Sequence, residues 1–502
     1  MVQVWIPKEK GCVIHSDHPY NAPMAMGRRE QQRQQEEFWI AHTELPRTAA
    51  HPFYEQLNRL LEGRGFDEWV EQQCVRFYAE TMGRPSLAPG RYFRLLLIGY
   101  FEGIDSERGI AWRAADSLAL RSFLDVGLKE MPPDHSTLSR TRRLIDVETH
   151  QAVFRWVLEL LAEKNLLRGK TIGIDATTLE ANAALRSIVR RDTGEGYQEF
   201  LVRLAKESGI ATPTREQLAK LDRKRAGKGS NEEWVNPHDP DARITKMKDG
   251  RTHLAHKAEH AVDLETGAVV VVTVAAGDAG DTTTILETLP QAGEHIAEVA
   301  CATNYEEVGE RVHPEGPVEV VGDKGYHSND VLKALGEAEV RSYISEPDRG
   351  RRSWKDKPEA QPAVYGNRRR IRGEHGKELL RRRGEFLERS FAHAYETGSM
   401  RRTHWRGREN ILKRVLIHVG GHNLSLVMRQ LLGQGTPRGL QGLSADVLLI
   451  LSRFWIATLV HTEQESASMP MPSHALRIAF YEQLNRLLEG RGFDEWVRRC
   501  PG

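Results

Sequence analysis

The sequence predicts an α/β protein in which an all-α N-terminal region precedes a core of mixed strands and helices. Two observations lead to this prediction. Between residues 53 and 147, apolar residues recur at helical spacing, as at Phe53, Leu57, Leu60 and Leu61. From residue 171 onward, short apolar runs typical of strands are interspersed with helical segments. Such a mixture indicates an α/β core.

Length and composition limit the class of protein. The chain has 502 residues, which at roughly 100–200 residues per domain predicts two to four domains. Its four cysteines lie far apart, which argues against a disulfide framework or a zinc ribbon and suits a reducing compartment. The first residues, MVQVWIPKEKGC, lack the apolar core of a signal sequence, and no apolar run reaches the roughly 20 residues of a membrane span. We therefore expect a cytoplasmic protein without a membrane partner.

The formal net charge of +1 conceals an uneven distribution of charge. Between Arg341 and Arg414 there are 21 Lys and Arg residues but only 10 Asp and Glu. This excess is either a solvated charged surface or a face that binds a polyanion such as DNA.

The N-terminal half divides into an arm at residues 1–50 and a helical region at 51–150. Near the end of this region, Asp134 and Ser136 are possible helix N-caps. The helix that they begin would carry Arg140, Arg142 and Arg143 close together. Short helices that end in a basic helix favour DNA binding of the helix-turn-helix kind, and a plain helical bundle is the alternative.

A helix near residues 150–166 is predicted before the core, which begins with a strand that ends at Asp175. The segments that follow are a basic insertion near 185–250 with one or two helices, two strands within 256–276, a helix capped by Asp281, a strand before Asp323, a helix at 329–337, a short strand at 341–347, a Pro/Gly/Arg-rich stretch to 376, and helices over 377–432 broken near Gly398 and Gly407. Residues 436–475 are predicted to form a linker.

Three carboxylates stand out by their sequence context. Asp175 and Asp323 each follow an apolar strand, and Glu388 lies in an arginine-rich helix. Acids at the ends of neighbouring strands converge on one point, and a third from a nearby helix completes an oxygen-ligand site suited to Mg²⁺ or Mn²⁺. The alternatives are that the aspartates are turn residues and that the glutamate is an ion-pair partner.

A second possible metal site is the histidine-rich segment at 253–260, HLAHKAEH. In a strand, His256 and His260 share one face and His253 does not. No cysteine lies nearby, so we do not expect zinc there.

Several segments resemble the conserved blocks of DDE insertion-sequence transposases. They are TIGIDATTLEAN, VVGDKGYHSNDVL, GEFLERSFAHAYETGSMRRTHWRGRENILKR and HNLSLVMRQL, and the region from about Leu57 to Ile145, with PPDHSTLSRTR, is similar to the N-terminal domain of these enzymes. The resemblance covers about residues 50–440. It implies an RNase H-like catalytic domain at 165–435 and catalytic, metal-binding roles for Asp175, Asp323 and Glu388.

The resemblance also implies cofactors and partners. Two Mg²⁺ or Mn²⁺ ions would support strand cleavage and strand transfer on double-stranded DNA, namely the terminal inverted repeats and the target. A homodimer on DNA and association with the nucleoid are expected. Basic residues expected to contact DNA are Arg140, Arg142, Arg143, Lys324, Arg389, Arg401, Arg402, Arg406, Arg408 and Lys413. Alternative functions are a nuclease or resolvase without strand transfer, and a DNA-binding protein with a degenerate core.

The sequence departs from a pattern that some relatives carry around the third acid. Anchored on Glu388, that pattern requires a tyrosine at 381, an arginine at 384 and a lysine at 395. This chain has Arg381, Gly384 and Tyr395 there. The phosphate-binding roles of those positions are therefore not carried over, and Glu385 and Glu396 remain rivals of Glu388.

The chain contains an exact internal repeat, since FYEQLNRLLEGRGFDEWV occurs at 53–70 and again at 480–497. Eighteen consecutive identities indicate a recent duplication of coding DNA. The second copy lies within a predicted C-terminal helical segment at 476–502. Four alternatives are open for it: docking on an apolar surface, competition with the first copy, exchange into a second subunit, or a free tail.

Overall fold

The computed structural model describes residues 51–79, 86–225, 229–247, 250–304, 311–348, 350, 354–355 and 357–440. The predicted arm at 1–50, most of the linker at 436–475 and the second copy of the repeat lie outside these residues. The described residues belong to one compact unit.

Seven helices form the described N-terminal region, and their spacing follows the apolar periodicity of the sequence. They are α1 (Pro52–Gly63), α2 (Phe66–Cys74), α3 (Pro89–Glu102), α4 (Glu107–Asp116), α5 (Leu118–Phe123), α6 (His135–Leu144) and α7 (Val147–Glu163). The Asp134 carboxylate accepts a hydrogen bond from the Thr137 amide at 2.7 Å, so Asp134 is the N-cap of α6. Ser136 lies inside the helix and donates to Asp134 instead.

Helix α3 is the centre of this region, because every residue from Pro89 to Phe101 is buried. Its Arg94 forms a buried ion pair with Asp67 of α2, with a nitrogen–oxygen distance of 2.8 Å. Removing either partner would leave a buried charge uncompensated. The helical region is thus a bundle with its own buried contacts.

The described residues after position 170 include eight strands. They are β1 (Thr171–Glu180), β2 (Val189–Arg190), β3 (Trp234–Val235), β4 (Arg243–Lys246), β5 (Thr252–Asp263), β6 (Val269–Ala276), β7 (Glu319–Gly322) and β8 (Arg341–Ile344). In the main sheet, β5 pairs antiparallel with β1 on one edge and with β4 and β6 on the other. Strands β7 and β8 continue the sheet beyond β1 in parallel pairing.

Helices cover the sheet, and their bounds are α8 (Tyr197–Glu207), α9 (Arg215–Lys224), α10 (Asp281–Thr303), α11 (Asn329–Glu337), α12 (Gln361–Arg372), α13 (Glu374–Phe391) and α14 (Arg408–Leu432). Ile174 and Val320 pack with α10 and α11 on one face, whereas Val321 packs with Leu379 of α13 on the other. The predicted mixed α/β class with a helical N-terminal region is confirmed.

Helix α14 joins the two regions, because it packs against α3 and α7 as well as β6. Arg142 of α6 adds a polar contact, donating to Asn410 of α14 at 3.0 Å. The helical region therefore packs directly against the core.

Three local predictions were wrong. Asp175 does not end its strand, because β1 continues to Glu180 through pairing with β5. Asp281 is the first residue of α10 rather than its cap, and Gly280 occupies the cap position. The Pro/Gly/Arg-rich stretch contains helix α12. The Asn367 side chain of this helix accepts a hydrogen bond from the Ile344 amide in β8 and donates one to the Ile344 carbonyl.

Candidate catalytic site

The β1–β7 register relates Asp175, within β1, to Asp323, which follows directly after the last residue of β7. The β1–β7 ladder pairs Thr171 with Glu319 and Gly173 with Val321, an offset of 148 residues. The same offset separates Asp175 from Asp323, whose backbone is still extended (φ −81°, ψ −176°). Side chains at matching levels of parallel strands point to the same face. Asp175 points toward the α13 face, where it pairs with Arg383, and the register extended by two residues assigns Asp323 to the same face.

Helix α13 supplies a cation to this pair of acids. A guanidinium nitrogen of Arg383 lies 2.7 Å from a carboxylate oxygen of Asp175, and both side chains are largely buried. The Arg383 Nε also donates to the Ile174 carbonyl at 3.3 Å. The other Asp175 oxygen accepts from the Ala176 amide at 2.8 Å. Arg383 thus neutralises Asp175 in this structure.

Asp323 begins a tight turn that runs through Lys324 to Tyr326. Its carboxylate accepts from the Gly325 amide at 2.7 Å, which caps the turn. Tyr326 is fully buried on the α10 face, where its hydroxyl donates to Glu259 at 2.9 Å. The turn therefore carries the chain across the end of the sheet from one face to the other.

Glu259 is a buried carboxylate of β5 beneath this turn. It accepts hydrogen bonds from Thr284 and Thr288 of α10 as well as from Tyr326. Burial raises the pKa of Glu259 above its ordinary value, although these three donors oppose that effect. Three hydroxyl donors offset the cost of burying such a polar group.

Asp281 brings another carboxylate to the same place. It pairs with Lys257, whose Nζ also donates to the Ala279 carbonyl at 2.9 Å. A Cβ built on Gly325 would lie 2.2 Å from the Asp281 Oδ2 and 3.0 Å from the Asp323 Oδ1. These two oxygens are therefore no farther apart than the sum of these distances, 5.2 Å.

Several carboxylates lie close enough to Tyr326 to affect its ionisation. Burial and the negative charges of Glu259, Asp281 and Asp175 raise the pKa of Tyr326 well above its ordinary value. This end of the sheet thus holds the carboxylates of Asp175, Glu259, Asp281 and Asp323 beside the cations Lys257, Lys324 and Arg383.

The structure distinguishes Glu388 from its two rivals. Glu385 is ion-paired with Arg389 at 2.7 Å, and Glu396 is bonded to Arg401 at 2.9 Å. Glu388 is exposed on α13, and its carboxylate pairs with no side chain in the described part of the chain. It is therefore the acid of this helix that is most available to a ligand.

Asp175 and Asp323 occupy corresponding positions in β1 and directly after β7, and Glu388 lies on the adjacent helix α13. Carboxylate oxygens are the donor type that Mg²⁺ and Mn²⁺ prefer. Within the described ranges, no three carboxylates or other ligands are arranged as a preformed metal site. The donor chemistry of these carboxylates therefore fits a divalent ion.

The predicted DNA contacts fall into three groups. Arg142 and Lys413 are almost buried, Arg142 between Glu107 and the Trp405 ring and Lys413 beside Glu409. Arg140, Arg143 and Lys324 are exposed. The others have partners at the surface: Arg389 with Glu385, Arg401 with Glu396, Arg402 with Glu180, Arg408 with Asp241, and Arg406 with the Asn182 carbonyl.

Sequence reasoning did not identify Glu259, Lys257 or Arg383, and gave Asp281 only a capping role. The first two lie in the segment whose histidines drew attention. Those histidines have separate partners: His256 bonds to Asp239, and His260 bonds to Ser390 and Tyr395. Lys257 and Glu259 are two residues apart in a strand and therefore share one face, which was the signal available for them.

None of the helices in the described part of the chain has the length and apolar content needed to cross a lipid bilayer.

Two family models match the chain. One, described as Transposase domain (DUF772), matches residues 43–144, and the other, described as Transposase DDE domain, matches residues 209–424. No curated protein and no solved structure is detectably similar to it. The second match contains Asp323 and Glu388, whereas Asp175 precedes it. It also implies that the mixed sheet and its helices are an RNase H-like core. The chain belongs to the DDE transposases of insertion sequences, enzymes that cut DNA strands and transfer them to new sites.

Proposed function

We propose that Asp175, Asp323 and Glu388 are the catalytic carboxylates of this transposase. The observation that supports this most directly is the β1–β7 register, whose offset of 148 residues is also the separation of Asp175 and Asp323. Helix α13 packs on the face of the sheet toward which Asp175 points, and it carries Glu388. Among the acids of the helix near this point, only Glu388 is without an ion-pair partner in the described residues.

DDE transposases use divalent metal ions, and we propose two ions of Mg²⁺ or Mn²⁺ here. Asp175 and Asp323 would hold them together with Glu388. Bound ions would polarise the scissile phosphate and lower the pKa of the attacking water or hydroxyl. Arg383 must then exchange its pair with Asp175 for another anion, and a DNA phosphate is the anion that the reaction brings to the site.

The basic surface has a separate role in holding DNA. The exposed Arg140 and Arg143 are the residues of α6 best placed to contact the terminal inverted repeats. Lys324 lies next to Asp323 and is exposed, so it is suited to bind the phosphate backbone near the scissile bond. The arginines with surface ion pairs can exchange their carboxylates for phosphates at small cost, because exposed ion pairs contribute little.

The partners of the protein follow from this reaction. An element has two ends, and two copies of the chain related by a twofold axis would present one active site to each end. We therefore propose a homodimer on DNA that acts on terminal inverted repeats and on target DNA. The protein would be found with the nucleoid when it is bound to DNA.

The test is strand cleavage by conservative variants of the full chain. Asp175→Asn, Asp323→Asn and Glu388→Gln each keep the shape of the side chain but remove the ligand charge. Each should reduce cleavage of end DNA by at least about 100-fold while DNA binding by mobility shift remains. Arg203→Gln on the insertion, which should leave cleavage unchanged, controls for loss of a surface charge. Near-normal cleavage by any acid variant would remove that residue from the catalytic set.

A further inference from the structure

We propose that Glu259 and Asp281 are positioning residues that fix the turn carrying Asp323. Nothing in the sequence assigned either residue to the site. The inference rests on the proposed role of Asp323 as a metal ligand, and it concerns how the chain holds that ligand in place.

The first contact lies beneath the turn. Tyr326 is the last residue of the turn and is fully buried, so its ring cannot move without disturbing the core around Ile174 and Val320. Its hydroxyl donates to the Glu259 carboxylate, which is itself 1% exposed and held by two threonine hydroxyls of α10. Tyr326 therefore anchors one end of the turn to β5 and α10.

The second contact lies beside the turn. Gly325 packs against Asp281 so closely that a Cβ at this position would lie 2.2 Å from the Asp281 Oδ2. Lys257, two residues before Glu259 on the same face of β5, holds the Asp281 carboxylate in this place. The Gly325 amide in turn donates to the Asp323 carboxylate. Asp281 thus limits where Gly325, and with it the Asp323 side chain, can lie.

Both contacts lead to strand β5. Tyr326 bonds to Glu259 of this strand, and Asp281, which limits Gly325, pairs with Lys257 of the same strand. Residues that orient a metal ligand commonly change metal affinity by about 10- to 100-fold when they are altered. We therefore expect the affinity for a divalent ion to depend on the Tyr326 hydroxyl and on the absence of a side chain at position 325.

The experiment measures Mn²⁺ binding to the full chain without DNA, by the loss of the free-ion electron paramagnetic resonance signal. Tyr326→Phe removes only the hydroxyl, and Gly325→Ala adds only a methyl group. The controls are matched. Tyr343→Phe removes a hydroxyl that donates to Glu319 at 3.1 Å, at the other end of β7. Gly336→Ala adds a methyl group where no atom lies within 4 Å.

Tyr326→Phe and Gly325→Ala should each bind Mn²⁺ about 10-fold more weakly than the wild type, with thermal midpoints close to those of their controls. High Mn²⁺ should restore much of their cleavage. Unchanged Mn²⁺ affinity of the Tyr326→Phe protein would overturn the proposal, whatever happens to Gly325→Ala. Asp323→Asn separates the two ideas: if it too binds Mn²⁺ normally, the proposed ligand itself is wrong. If only Asp323→Asn loses affinity, the positioning role alone fails.

Discussion

The Arg383 guanidinium lies 2.7 Å from the Asp175 carboxylate, so a cation of helix α13 occupies the place beside a proposed metal ligand. In an ion pair this well buried, each partner depends on the other for compensation of its charge. A divalent ion that binds Asp175 must compete with this arginine.

Replacing Arg383 should therefore strengthen metal binding but weaken cleavage. Arg383→Gln leaves Asp175 without its ion pair, and Mg²⁺ should stabilise this variant against heat at lower concentrations than it does the wild type. Cleavage should still fall by about 10-fold or more, because the phosphate loses a cation. Arg382→Gln is the control, since Arg382 pairs with the exposed Glu378. An unchanged Mg²⁺ requirement would show that Arg383 does not compete with the ion.

The three glutamates of the α13 segment should differ sharply in their effects. Glu388→Gln should abolish cleavage, whereas Glu385→Gln and Glu396→Gln should retain it within about threefold, since exposed ion pairs such as theirs contribute little. Rates of end cleavage in Mg²⁺ provide the comparison. Strong loss with Glu396→Gln and normal cleavage with Glu388→Gln would transfer the third ligand to Glu396.

Recognition of the element ends should depend on exposed residues of α6. Arg140→Ala and Arg143→Ala should each weaken binding of end DNA and reduce the salt dependence by about one phosphate contact. Arg203→Ala is the control, because Arg203 in the basic insertion is bonded to both Glu195 and Glu207. Binding that falls only for the Arg203 variant would move recognition to the insertion. The full chain is needed, since residues 53–147 alone would expose the face of α3 that packs on α14.

Stability should fall in acid because of buried histidines. Burial lowers the pKa of His150, His260 and His422 to about 3 in each case. The unfolded chain binds these protons near pH 6.5, so stability is fully present above that pH and is lost as the pH falls toward 3. Each histidine contributes up to about 1.4 kcal/mol per pH unit in this window. His260→Gln should show a shallower decline in urea unfolding between pH 6.5 and 4.5. Equal slopes would show that His260 accepts a proton without unfolding.

The ion pair between Asp67 and Arg94 should be a main support of the N-terminal helices. Asp67→Asn should lower the free energy of unfolding by about 3–5 kcal/mol, because Arg94 remains buried without a carboxylate. Glu55→Gln, which breaks an exposed pair with Arg59, should have almost no effect. Adding Asp494→Asn in the repeated segment should cause no further loss. A larger loss in the double variant would show that the second copy can replace the first.

The Asp323 turn and helix α12 show which elements can be predicted from the local sequence and which cannot. The strand before Asp323 and the helix at 329–337 follow from apolar spacing, and the structure has both. Helix α12 was not predicted, because a proline and a glycine within its twelve residues lower the local helix propensity. Packing on β8 through Asn367 outweighs that propensity.

The sequence by itself determined the α/β class, most of the strands and helices in their order, and the strand that precedes Asp323, because these depend on periodicity and capping within a few residues. Only the tertiary structure decided which residues meet. The register that aligns Asp175 with Asp323 joins positions 148 residues apart, and Arg383 reaches Asp175 across 208 positions of sequence. Glu259 lies beneath Tyr326 because β5 returns beside β1. Such contacts depend on strand pairing and on the burial of charge, and no local pattern encodes them.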